Sequence, residues 1–516
     1  MKLRIAASLL FSSTLMLPGL LRAQPFQKFY DVDTNGVDVA MAATTARTGG
    51  FLIVQRTHTN SGIDTWLGWI RADGSQSWKS RFSGFGHIED VIQTPDDGFA
   101  MIGETDFNGL LLGSFPAVIP ASLSAMVVKV DSNGNLQWKR KLKMPDIIDG
   151  LSDRGPYWVT GYGIALDSDG RLMLSGRVCY FPWNEHAQDG DGCMLWTAVY
   201  ESGDTPNLIF GRVIQHVGIT GSPSAVASGP GGRPFFIKKT LGDTHTLYGI
   251  SGYVRFDGAL RQPAITVIDG TLPTISAQVH IYSVSTTQNA VFTDAARLTT
   301  DGRTIAVGTI GDSPSRVLLT GEIDFAPTNW AFGQPGGPFN RVEVAGKSPL
   351  TARVAAAPNR GPALGAYGVA AWVERRPVDY DTLLWVPGSD WNKGHLFGDG
   401  LGPFSFALHS FRWVEPTGDA QAGYMLYSEA YGGNPPDSEG QLVRTTSSGQ
   451  EELTCHCDVN ISTEGLIPVW TEAFGVPVEI WEEDLNIVPK EPTPIGVFEC
   501  NQLFTPNCPP LGGPPG

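Results

Sequence analysis

The sequence predicts an all-β fold: a β-propeller of about seven four-stranded blades, with a short disulfide-tied C-terminal tail. Eight blades is the alternative count. Two observations lead there. The stretch Asp90 to Leu142 holds two β-hairpins, and its halves recur about seven times along the chain. Gly and Pro are abundant and charged residues make up only 17% of the chain, a composition that suits turn-rich sheets and not a disordered polymer.

In the clearest copy, Asp90 to Thr94 alternates polar and apolar residues, Pro95-Asp96-Asp97-Gly98 forms a tight turn, and Phe99 to Thr105 returns. After an insertion, the Val-rich run Ala125 to Val130 meets Asp131-Ser132-Asn133-Gly134, whose residues tolerate positive φ, and Asn135 to Leu142 returns with Trp138. Four short strands at a spacing of tens of residues make one blade. Further first hairpins are expected at Asp38 to Thr57, Tyr162 to Val178, Ser224 to Thr240, Ala295 to Thr309, Val354 to Glu374 and Phe411 to Ala430. Second hairpins are expected at Asp64 to Phe82, Cys193 to Val213, Thr246 to Val267, Arg316 to Gln334, Thr382 to Phe397 and Gln441 to Cys457. Gly465 to Glu483 would build the eighth blade. The first strands are rich in Ala and Gly, as the crowded axis of a propeller requires, and Trp78, Trp138 and Trp330 fall on fourth strands, where a large ring fills the gap between blades.

Three segments divide the chain: residues 1–23, 24–458 and 459–516. The first reads as a signal peptide, with Lys2 and Arg4, the apolar run Ile5 to Leu17 and a cleavage site at Leu21-Arg22-Ala23. The mature protein is then secreted or periplasmic. The net charge deepens from −16 to −19, because three basic residues leave with the leader. Such acidity repels nucleic acid and anionic lipid, and no later run is long enough to span a bilayer, so neither nucleic-acid binding nor membrane insertion is expected.

Six cysteines in an oxidising compartment suggest three disulfides. Cys179 with Cys193 is the local pair. Cys455 and Cys457 would pair with Cys500 and Cys508 in some order, tying down the tail; metal binding by Cys455-His456-Cys457 is the alternative. Phe26 to Tyr30 is a candidate outer strand that closes the ring beside the last blade. The tail runs Leu466 to Trp470 and Val476 to Trp481 are candidate edge strands.

The phrase Asp131-x-x-Gly134-x-x-x-Trp138, echoed at Ala72-Asp73-Gly74 to Trp78, together with QTPDDGFAMIGET, resembles the repeats of bacterial secreted β-propellers and the tryptophan-docking repeats of quinoprotein-like propellers. The resemblance implies the fold far more than an activity. Quinoprotein dehydrogenases place an adjacent cysteine pair beside their cofactor, and this chain has no such pair.

Within hairpins the turns are mostly short, whereas Asp106 to Ser124, Lys143 to Thr160, Tyr180 to Gly192, Asp269 to Asn289 and Pro335 to Ser348 read as long connections. Alternating strand directions would put the long connections on one face, where binding usually resides. There His58, His87, Arg154, Trp158, Trp183, Glu185 and His186 are the candidate ligand-binding residues, mixing rings that stack on sugars with groups that move protons. Asp31, Asp33, Asn35 and Asp38 place oxygens at alternating positions, as the first half of a calcium loop does, but the closing Glu is missing. No cofactor is expected apart from that calcium. No hydrolase, zinc-protease, phosphate-loop or haem motif occurs. The reading is a secreted binding scaffold for an extracellular polymer or protein. The alternatives are a polysaccharide lyase or hydrolase with its site on the same face, and a structural envelope component.

Overall fold

The computed structural model describes residues 25–31, 37–59, 62–105, 124–145, 156–180, 193–201, 203–217, 232–239, 246–255, 260–270, 276–298, 303–325, 333–357, 367–376, 379–387, 393–397, 405–416, 422–432, 437–447, 456–483, 487–490 and 496–499. The expected signal peptide lies outside them. All regular structure among these residues is β: 33 strands in three five-stranded and two nine-stranded sheets.

Each sheet is built from antiparallel meanders of four strands. A single strand, β1 (Phe26–Asp31), precedes them. The first meander is β2 (Val37–Thr45), β3 (Phe51–Thr59), β4 (Gly62–Ile70) and β5 (Gln76–Ser83). The second is β6 (Ile88–Gln93), β7 (Phe99–Glu104), β8 (Ala125–Val130) and β9 (Leu136–Lys143). The third is β10 (Pro156–Leu166), β11 (Leu172–Tyr180), β12 (Cys193–Tyr200) and β13 (Leu208–Val217). The fourth is β14 (Pro234–Lys239), β15 (Thr246–Val254), β16 (Gln262–Asp269) and β17 (Ser276–Ser283). The fifth is β18 (Ala290–Arg297), β19 (Arg303–Ile310), β20 (Val317–Phe325) and β21 (Gly333–Val344). The sixth is β22 (Ser348–Ala356), β23 (Tyr367–Arg376), β24 (Asp379–Trp385) and β25 (Lys393–Phe397). The seventh has only three consecutive strands, β26 (Ser405–Val414), β27 (Gly423–Gly432) and β28 (Asp437–Arg444), and takes β1 as its fourth.

The first strands touch in a closed circuit: β2, β6, β10, β14, β18, β22, β26 and back to β2. Between every neighbouring pair of meanders lies one hydrophobic cluster, so most of the core sits between meanders. This repeated-sheet architecture fits a β-propeller-like fold. Trp138 shows the packing: it stacks on Tyr200 of the next meander at 6.1 Å. Trp78 serves the same end, since a Cβ on Gly134 of the next meander would lie 2.5 Å from its ring. The Ala and Gly positions of the first strands hold equally, with Ala40, Ala42, Ala43, Ala295 and Ala355 buried at the circuit.

The tail does more than tie down an end. Its strands β29 (His456–Leu466), β30 (Val469–Glu479), β31 (Trp481–Glu483), β32 (Val488–Lys490) and β33 (Gly496–Glu499) run backwards around the outside. β29 bridges β25 and β21, β30 bridges β17 and β13, and the last three add to β9, β5 and β1. Every meander thus gains a fifth strand.

Several expectations are corrected. Gly465 to Glu483 spans the end of β29 and all of β30 and β31, which join three different sheets, so that stretch builds no meander of its own. Gln441 to Cys457 is not a hairpin, because β28 pairs with β1 instead of β29. Thr246 to Val267 covers the second and third strands of the fourth meander, one strand out of frame, because Gly231-Gly232 precedes β14 and does not turn it. Asp269 to Asn289 contains β17, Pro335 to Val344 is part of β21, and β10 already begins at Pro156. Since strands alternate in direction, the face with the long early connections has short ones later, at 345–347 and 377–378. The opposite face carries the wider gaps 357–366 and 415–422. Neither face is plain throughout.

Candidate functional site

Every first strand carries a register irregularity, at Met41, Glu89, Tyr162, Ile237, Thr293, Leu350 and His409. A bulge re-aims the side chains that follow it. Here it turns polar groups toward the neighbouring first strand. The Asp90 carboxylate accepts the Ile164 amide at 3.2 Å, that of Asp294 accepts the Val354 amide at 3.1 Å, and the Ser410 hydroxyl accepts the Ala43 amide at 2.9 Å. One role is filled three times around the circuit.

Charges from three other positions converge on these carboxylates. Arg233 Nη1 lies 2.7 Å from Asp90 Oδ2, and Arg412 Nη2 donates to Asp90 Oδ1. Arg353 is 9% exposed, and neither its Nε nor its Nη1 has a hydrogen-bond partner. Burial pushes the Asp90 carboxyl up, but Arg233 and Arg412 outweigh it and hold Asp90 below the usual carboxylate range. For Asp294 burial wins over Arg233 and Arg353, and its carboxyl titrates above that range. Burial, with Arg233 beside it, pushes Arg353 down to about 10.

A cavity of about 380 Å³ opens above this cluster. Asp90, Arg233, Asp294 and Arg412 line its floor, and Ala165, Ala295, Ala355, Phe235, Phe411 and Trp413 line its walls. Apart from Phe235, which opens β14, the wall residues come late in their first strands, so the cavity faces the turns that follow those strands. That face is opposite the long early connections.

A second polar group gathers on the other side of the cluster. His87 Nε2 lies 3.4 Å from Glu89, His409 Nε2 lies 3.6 Å from Glu429, and the Arg177 guanidinium sits 5.6 Å from the centre of the Tyr162 ring. Burial, opposed by Glu89 and assisted by Arg56 and His409, holds the His87 imidazole below its ordinary value. Burial likewise raises the Tyr162 phenol.

Of the seven candidate ligand-binding residues, only the His87 side chain is described. His58 lies on β3 and Trp158 on β10, with side chains outside the described set, and Arg154, Trp183, Glu185 and His186 lie outside it entirely. Of the calcium candidates, Asp31 ends β1 and Asp38 is buried on β2, where it accepts the Thr57 hydroxyl at 2.6 Å; Asp33 and Asn35 are not described. Among the described residues no group of three or more His, Cys, Asp or Glu is placed to hold a metal ion. Cys179 and Cys457 are disulfide-bonded, and no described cysteine is free. Cys179 faces Cys193 across the β11–β12 ladder; the side chains of Cys193, Cys455, Cys500 and Cys508 are not described.

The axial charges escape a motif search because each comes from a different repeat. One local signal existed: Asp294 and Arg353 interrupt the Ala-rich runs ThrAspAlaAla and AlaArgValAlaAla, where a small residue would pack with less cost. No protein-family model matches the chain, and no curated protein matches it.

Proposed function

We propose that this chain is an exported seven-bladed β-propeller that binds an extracellular polymer or protein partner, with the axial cavity as its recognition site. Seven meanders in a closed circuit, one core cluster per interface and ring closure by the N-terminal strand support the blade count. The cavity carries the functional reading. It is concave, walled by Ala and aromatic side chains and floored by a few convergent polar groups, and its volume falls in the range of small-molecule sites. A Cys179–Cys193 disulfide belongs to the same reading. Directly opposed residues of antiparallel strands sit about 4.5–5.5 Å apart at Cα, within the span a disulfide accepts.

The test is binding of the mature protein to an array of extracellular polysaccharides, repeated with Ala355→Leu, which fills the cavity. Loss of binding by at least tenfold, with the fold intact, supports the reading. Unchanged binding by the variant removes the cavity from it.

A second reading, a polysaccharide lyase or hydrolase, draws on one observation: His87, His409, Tyr162, Arg177 and two carboxylates gather on the far side of the axial cluster. A neutral imidazole beside a carboxylate suits proton abstraction. New unsaturated or reducing ends from a bound polymer, lost in His87→Gln and His409→Gln, would establish it.

A further inference from the structure

We infer that a second binding site, independent of the axial cavity, takes a small organic monocarboxylate with an apolar body and holds its carboxylate on Arg316. The site is a cavity of about 230 Å³ on the face where the first strands begin, opposite the axial cavity. Val291 and Phe292 of β18 and Leu350 of β22 form its apolar wall, and Arg261, Asn289, Asp312 and Arg316 supply polar groups. Hydrogen bonds knit these segments together. The Gly311 amide donates to the Asn289 carbonyl at 2.7 Å, and the Ala290 amide donates to the Arg261 carbonyl at 3.0 Å. The Arg261 amide donates to Asn289 Oδ1 at 3.0 Å, which leaves the Asn289 Nδ2 to donate to a ligand. Arg261 is itself positioned, with its guanidinium 5.1 Å from the centre of the buried Tyr253 ring.

Arg316 selects the ligand. It is half-buried, yet its guanidinium reaches only carbonyl oxygens, with Nε donating to Gly311 at 3.3 Å and Nη1 to Leu350 at 3.5 Å. Asp312 and Glu374 face it, but it forms no ion pair among the described residues, and Glu374 accepts the Ser313 hydroxyl at 2.6 Å instead. Burial, with Arg261 nearby, pulls the Arg316 guanidinium below its usual range. A partly desolvated guanidinium without an anion is matched best by a planar carboxylate. The neighbouring charges limit that anion. Asp312 and Glu374 equal Arg261 and Arg316 in number, so a dianion such as phosphate meets more repulsion than a carboxylate does. The volume lies below that of sites for drug-sized ligands, so the apolar body is about one ring in size.

The experiment is calorimetric titration of the full mature chain with sodium phenylacetate, phenylacetamide and sodium acetate at one ionic strength. Arg316→Met and Val291→Phe, which fills the cavity, are titrated in parallel. Phenylacetate is expected to bind about tenfold tighter than the isosteric amide, as one charged hydrogen bond provides, and tighter than acetate by a similar factor. The preference for acid over amide should disappear in Arg316→Met, and phenylacetate binding should disappear in Val291→Phe. No binding of phenylacetate, equal binding of acid and amide, or a preference that survives Arg316→Met overturns the inference. Acetate binding as tightly as phenylacetate removes the apolar body and overturns it too. Should Arg316→Met not fold, Val291→Phe decides, and binding retained there overturns the site. Loss of phenylacetate binding in Ala355→Leu would place the acid in the axial cavity and overturn this inference without touching the axial reading.

Discussion

Asp90 is the residue on which the axis depends most. It is 1% exposed, accepts two backbone amides and meets two guanidinium groups. Removing one partner of a buried ion pair leaves the others uncompensated, typically at about 3–5 kcal/mol. Asp90→Asn is therefore expected to lower unfolding free energy by about that amount in a denaturant titration. Asp294→Asn is expected to cost less than half as much, because burial already favours the neutral acid there and the amide oxygen can still accept from Val354. Equal losses from the two substitutions would contradict the contrast between the sites. Gly176 sets a steric limit instead. A Cβ there would lie 1.9 Å from the Thr160 carbonyl oxygen and 2.5 Å from the Trp196 ring, so Gly176→Ala is expected to destabilise more than an ordinary surface change. Its melting midpoint, compared with that of the unobstructed Gly203→Ala, checks this.

At the scale of elements, the outer belt is the feature least legible in the sequence. The Val and Trp runs of the tail read as edge strands, but nothing local states that β30 lies between two meanders, because its partners β13 and β17 are far away in sequence. The hairpins were legible wherever a turn tetrad marks them, as at Asp131 to Gly134, where Gly134 takes φ of 81°. They slipped in the fourth meander, where Gly231-Gly232 imitates a turn. The belt interface carries a pH prediction. His280 on β17 pairs across the ladder with Glu472 of β30 and stacks on Trp470 at 6.2 Å. Burial holds its imidazole down at about 4. As pH falls below about 6.5 the unfolded chain takes up a proton that the folded chain refuses. Stability should then drop progressively until about pH 4, where the folded site protonates as well. The loss is at most about 3 kcal/mol, and Glu472, 3.8 Å from Nδ1, reduces it. His280→Gln should flatten this part of the pH–stability curve, and a curve of unchanged slope would remove His280 as its cause.

For the whole molecule, the circuit must close without help from a continuous chain. The seventh meander ends at β28, and the N-terminal strand supplies its fourth strand from the other end of the sequence. The run Phe26 to Tyr30 could be placed in advance because it is aromatic-rich, short and isolated from any hairpin partner. The axial ion cluster could not, since it assembles from Asp90, Arg233, Asp294, Arg353 and Arg412 on five different meanders, and sequence spacing carries no record of which strands meet at an axis. Closure by β1 also differs in kind from belting by β33. β1 is paired on both sides, to β28 and to β33, and places Phe26 and Tyr30 in the core cluster between the seventh and first meanders. β33 covers only the outer edge of β1. A chain beginning at Val37 therefore loses Phe26 and Tyr30 from the inter-meander core and the partner of β28, exposing an unpaired edge that invites association. It should melt far below the full chain and aggregate, whereas removal of residues 496–516 should lower the midpoint only slightly and leave the chain monodisperse. Matching losses in the two truncations, read by scanning calorimetry and light scattering, would show that β1 contributes as an edge strand and not as the closure of the ring.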